Sequence, residues 1–132
     1  MRRALSRFWR EQRGASAMEF ALVAPIMLLL IIGLIQVSLW MFANHVLNEA
    51  LSAGARALYF DMSDTPGAIT VTRTAAADRF LNKDLLVLAV TRHESPYPRL
   101  ELSAVYPFTG IGFGLPEGKL DIEASVSVAI SD

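Results

Sequence analysis

The stretch RGASAMEFALVAPIMLLLIIGLIQVSLW, Arg13 to Trp40, decides the fold of this chain. It joins a basic leader to a glycine, one carboxylate and a long apolar run. From Phe20 to Asn48 there is no Asp, Glu, Lys or Arg in 29 residues. As a helix rising ~1.5 Å per residue, that segment reaches about 43 Å, more than the ~30 Å hydrocarbon core of a bilayer requires. It predicts one membrane-spanning helix over about residues 17–40. Glu19 stands at the mouth of the run, where a carboxylate is costly unless something pairs with it.

Outward from this stretch, the bulk of the chain agrees. At 132 residues and 53% hydrophobic, it has room for one span and one small domain. Residues 1–14 carry Arg2, Arg3, Arg7, Arg10 and Arg13 against Glu11 alone, while the remainder holds seven basic and twelve acidic residues. A positive flank of a first apolar segment stays in the cytoplasm, so the rest is expected outside it: inner membrane, single pass, C-terminal domain periplasmic. The acidic outer part argues against nucleic-acid binding, which leaves a basic footprint. With no cysteine, disulfides, thiolate metal sites and thiol nucleophiles are excluded.

A secretory signal has its small-residue cleavage site after the apolar region. Here Ala15-Ser16-Ala17 comes before it, and the run exceeds the 7–15 residues of a signal h-region. A plain signal anchor fits the hydropathy but leaves Gly14 and the placement of Glu19 unexplained. Counted from the bond after Gly14, Ala15 is position one, Glu19 position five and Phe20 position six.

That arrangement resembles the processing site of type IV pilin-like proteins. Within that superfamily the chain most resembles the TadE-like minor pseudopilins of the tight-adherence (Tad, Flp) pilus system. RGASAMEFALVAPIMLLLIIGLI resembles their opening, NEALSAGARAL a small-residue segment closing their first helix, and VYPFTGIGFGLPEG their apolar loop between the last strands. In this reading the resemblance covers nearly the whole chain. It implies that a prepilin peptidase removes residues 1–14 on the cytoplasmic side. It also implies partners: other minor pseudopilins, the major Flp pilin, and the Tad inner-membrane assembly platform, besides the lipid bilayer. The function implied is initiation or assembly of the pilus, with adhesion as the consequence. A pseudopilin of a secretion system and an unprocessed, membrane-anchored binding module stand as alternatives.

The residues fit those roles chemically. Gly14 lacks a Cβ, so its backbone can lie extended in a protease cleft, while the arginines hold the leader at the cytoplasmic surface. Cleavage creates an ammonium at Ala15, one helical turn from Glu19. Buried among packed helices, Glu19 would need a cation, and the new N-terminus of an adjoining subunit supplies one. A Glu19 that merely reaches back to headgroups is the simpler alternative. Phe20 opens the apolar face beside it. Pro25 removes a backbone hydrogen bond and Gly33 allows close helix approach, either of which could help subunits pack; ordinary packing irregularity is the commoner explanation of both. Ala50, Ala53, Gly54 and Ala57 form a strip suited to contact with another pseudopilin or with this chain's own sheet.

Beyond the span, the helix is expected to continue to Phe60, giving 15–60 as one element and 61–132 as a small α+β domain packed on its outer half. Thr65-Pro66 reads as a cap and first turn of a second helix over about 66–82, although Ile69 to Thr72 is β-branched. Three strands complete an antiparallel sheet. Leu85 to Thr91 is unbroken and apolar, as a strand covered on both faces would be, and alternation marks strands around Leu100–Tyr106 and Leu120–Ile130. The glycines of the loop between the last two strands lack the G-x-G-x-x-G spacing. Its Phe108, Ile111, Phe113 and Leu115 read as a partner surface or as a loop folded on its own core. His45 and His93 mark no common site, and no catalytic motif is present, so no enzyme, metal or cofactor is expected.

Overall fold

The computed structural model describes residues 2–109 and 120–130, with side chains described from residue 16 onward. Its elements are α1 (Arg2–Phe60), α2 (Thr65–Ala77), β1 (Val87–His93), β2 (Arg99–Phe108) and β3 (Leu120–Ala129). The strands form one antiparallel sheet in the order β1-β2-β3, so the fold is α+β with a candidate transmembrane helix. The chain divides into two compact units, Met1–Val37 and Ser38–Asp132.

In the first unit, α1 is an apolar rod with no core of its own. Phe20, Leu22, Leu29 and Leu34 are all about 70% exposed. A helix apolar on every side is stable only when something other than water covers it. A single N-terminal helix of this kind fits a membrane-anchored protein.

In the second unit the same helix becomes amphipathic. Ala43, Val46, Leu47, Ala50, Leu51 and Leu58 are buried, at the three- and four-residue spacing of one helical face. They form a core with Ala68 and Ala76 of α2 and with Leu100, Leu102, Ala104, Ile122 and Val128 of the sheet. Past Phe60 the chain turns at Asp61, whose carboxylate accepts from the Ser63 N–H at 2.9 Å and from the Ser63 hydroxyl. The hydroxyl, with the backbone N–H second, holds Asp61 below the ordinary carboxylate range.

The cap of α2 lies one residue earlier than the sequence suggests. Asp64, not Thr65, accepts from the Gly67 N–H at 2.9 Å, in keeping with aspartate ranking above threonine at this position. The β-branched stretch is helical, and the threonines in and beside it satisfy their hydroxyls by bonding backward: Thr70 to Pro66 O, Thr72 to Ala68 O and Thr74 to Thr70 O, all within 2.9 Å. Thr72 can therefore be fully buried with its hydroxyl satisfied.

α2 stops at Ala77, short of the expected residue 82. The Phe80 N–H donates to Ala77 O and the Leu81 N–H to Ala76 O, both at 3.2 Å. This paired closure is a Schellman ending, whose left-handed position usually holds glycine. Here Phe80 occupies it, at φ 72°.

β1 also differs from its expectation. It begins at Val87 rather than Leu85, because Leu85 is taken into a turn by a bond from its N–H to Asn82 O at 3.2 Å. It is an edge strand, with Val87 64% exposed, so one face is wet. β2 is the central strand and matches its alternation: Leu100, Leu102 and Ala104 are buried and pair with Val128, Val126 and Ala124 of β3.

An L-residue in the left-handed region costs about 1–2 kcal/mol, and the Phe80 ring, 93% exposed, recovers little by burial. Phe80→Gly should therefore raise the stability of the folded chain by about 1 kcal/mol, read as an increased midpoint in denaturant or thermal unfolding. A lowered midpoint would contradict this account of the turn.

Candidate functional site

The residues singled out from the sequence fall into three places. Gly14 and Ala15 lie within the backbone bounds of α1. Glu19 and Phe20 follow on the same helix and are both exposed. α1 runs without interruption through Pro25, and Gly33 has no heavy atom within 4 Å of where a Cβ would stand. Among the described residues, nothing therefore requires a glycine at position 33.

Ala50 and Gly54 are different, because the structure turns them toward the chain's own core. Ala50 is 1% exposed. A Cβ on Gly54 would collide with the Thr72 hydroxyl and stand 2.8 Å from Leu102 Cδ2 and 3.1 Å from the Ala68 carbonyl. Ala53 and Ala57, on the same strip, are half-buried. The strip thus lets α2 and β2 approach α1 closely.

Phe108, at the end of β2, packs half-buried against the core. Ile111, Phe113 and Leu115 lie outside the described residues. His45 borders an open groove of about 400 Å³ with Asn48, Glu49, Ser52, Arg56 and Arg79. Glu49 and Arg79 form an ion pair across it, half-exposed, which is worth no more than about 1 kcal/mol in such a setting. His93 is elsewhere, its Nε2 2.9 Å from Glu101 Oε2 across the β1–β2 pair. Among the described residues, no three of His, Asp and Glu gather as metal ligands would.

Sequence reading missed Phe80 and Leu81, which it had placed inside the second helix. The polar Asn82-Lys83-Asp84 that follows was the available signal for an earlier stop. It also gave no sign of the Glu49–Arg79 pair, whose partners are thirty residues apart.

Residues 14–56 match the family model described as TadE-like protein. The matched segment holds the glycine, Glu19, the apolar run and, of the small-residue strip, Ala50, Ala53 and Gly54. It ends before α2 and the sheet. No curated protein and no solved structure matches the chain. The match is consistent with a TadE-like protein of the Tad pilus system.

Adding a methyl group at Gly54 gains up to ~1 kcal/mol of helix propensity, but overpacking a closed core costs about 1–3 kcal/mol. Gly54→Val, bulkier still, should destabilise the fold by roughly 2 kcal/mol or more in denaturant unfolding. Gly33→Ala, with open space around it, should leave that unfolding unchanged. Equal effects of the two substitutions would refute the close approach at Gly54.

Proposed function

We propose that this chain is a minor pseudopilin of a Tad (Flp) pilus. A prepilin peptidase cuts it after Gly14, α1 holds it in the inner membrane with the second unit in the periplasm, and it then enters initiation or assembly of the pilus. Adhesion follows from the assembled pilus. The role is structural rather than catalytic. Its partners are the peptidase, other minor pseudopilins, the major pilin and the assembly platform.

The observation that carries this reading is the family match over residues 14–56, on a helix whose large apolar side chains before Ala43 are mostly exposed among the described residues. Such a helix suits lateral packing with others like it. Cutting after Gly14 produces an ammonium at Ala15, and a Glu19 carboxylate taken out of water among neighbouring helices requires such a partner. A buried charge left alone costs about 3–5 kcal/mol, so Glu19 acts as a register device more than as a source of stability.

One observation favours an uncut signal anchor instead: Gly14 lies inside α1, and a protease needs extended backbone. Opening the helix there is least costly at glycine, which disfavours helix by ~1 kcal/mol relative to alanine. The two readings are separated by the N-terminus of the protein in membranes.

Gly14→Glu should leave the chain uncut, seen as a retained N-terminus at Met1 by intact mass in cells that contain the peptidase. A normally shortened product would overturn the processing assignment. Glu19→Ala should be cut and inserted normally yet give at least a several-fold loss of surface pili in shear fractions. Piliation at the unmodified level would instead leave Glu19 as a headgroup-facing charge.

A further inference from the structure

Leu39 and Phe42 of α1, Phe80 and Leu81 after α2, and Tyr106 and Phe108 at the end of β2 line one apolar cleft of about 250 Å³. All six belong to the second unit. Phe80 is 93% exposed and Phe42 51% exposed. Tyr106 has its hydroxyl occupied, accepting from the Asn82 N–H at 3.5 Å, which leaves an apolar ring with a satisfied polar tip.

Two separate observations say what covers this cleft. The first is its position along α1. Counted from Phe20, about 20 residues fill the hydrocarbon core, which brings the helix to Leu39. The headgroup layer adds roughly 5–7 Å, or about four residues more. Leu39 to Phe42 fall within that layer, and burial by the chain's own core begins only at Ala43. The second is the backbone at Phe80. Its φ of 72° favours glycine, and its ring has almost no intramolecular contact to compensate. Neither folding nor local conformation accounts for an aromatic residue there.

We infer that this aromatic rim rests in the outer-leaflet interface of the bilayer that α1 crosses. Phe80 and Phe42 enter the boundary between headgroups and acyl chains, at the level where Trp40 and other interfacial aromatics are favoured. The second unit is thereby seated on lipid. The inference rests on the membrane-anchored reading of α1 and adds a second lipid contact to it. Removal of the subunit from the bilayer must then free the rim as well as the span.

Because the chain has no cysteine, single introduced cysteines report on one place each. The full chain is reconstituted in phosphatidylcholine–phosphatidylglycerol vesicles, and an environment-sensitive fluorophore is attached at Phe80→Cys, Thr109→Cys, Leu28→Cys or Tyr97→Cys. Thr109→Cys keeps Phe80 intact beside the cleft. Tyr97 is 77% exposed in the β1–β2 connection, at the far end of β2 from Phe108. Lipids brominated in their acyl chains should quench the probe at 80 and 109 several-fold more than at 97, with position 28 quenched most. Adding Phe80→Gly to the 109-labelled chain should cut its quenching at least twofold, with no loss of thermal stability.

Quenching at 28 with none at 80 and 109 overturns the inference while leaving the span in place. A blue-shifted but unquenched probe at 80 means that protein covers the cleft, and overturns it equally. No quenching at 28 removes the membrane reading and the inference together.

Discussion

The constraint on which everything else depends is that the apolar surface of α1 must be covered along its whole length. From Ala43 onward the chain does this itself. The helix turns Ala43, Val46, Leu47, Ala50, Leu51 and Leu58 to one side, and α2 and the sheet close over them. Before Ala43 most of the large apolar side chains stand open, Phe20, Leu22, Leu29 and Leu34 among them. One helix therefore meets two different requirements. A stripe is enough where protein covers it, whereas an all-round apolar surface is required where lipid or other helices must.

That division explains the character of the second unit. A core drawn from fewer than a hundred residues is small and supplies limited burial, so its elements have to approach closely. The side chains at the contact are correspondingly short: Ala43, Ala50 and Gly54 on α1, and Ala68, Thr72 and Ala76 on α2. Thr72 is the instructive member. Fully buried, it would leave a hydroxyl unsatisfied, but its bond to the Ala68 carbonyl returns the proton to its own helix. A residue that prefers strands by propensity is thus made compatible with a helix by the packing around it.

Much of this was legible in the sequence. The charge-free run gave the long helix, and the alternation in Leu100–Tyr106 and Leu120–Ile130 gave β2 and β3, because both patterns report burial directly. Where a boundary depends on hydrogen bonds rather than burial, the sequence does not place it to the residue. Asp64 and Thr65 are both acceptable caps, and only the bond to Gly67 selects the first. The stop at Ala77 depends on two backbone bonds and on a left-handed Phe80, a position where a sequence reader expects glycine. For β1, the apolar run at Leu85-Leu86 resembles strand, but Leu86 serves the core from a turn. In the candidate site, the glycine-to-glutamate spacing was plain to see, since it is purely sequential. The strip at Ala50 and Gly54 read more readily as contact with the chain's own sheet than with another pseudopilin, and the position of Thr72 and Leu102 places Gly54 against the chain's own core.

The same distinction bears on how a carboxylate can act as a register device in the proposed assembly. Glu19 is exposed and belongs to no core of its own chain, so folding of the single subunit imposes no desolvation on it. Desolvation beyond that of the membrane mouth arises when neighbouring helices close around it, and is offset only if a cation arrives at the same depth. The cost therefore falls on association and spares folding. A partner shifted by one helical turn, ~5.4 Å, would bury the charge without its ammonium. Misalignment would then be disfavoured most strongly where the apolar surfaces, being apolar all round before Ala43, cannot themselves distinguish one register from the next.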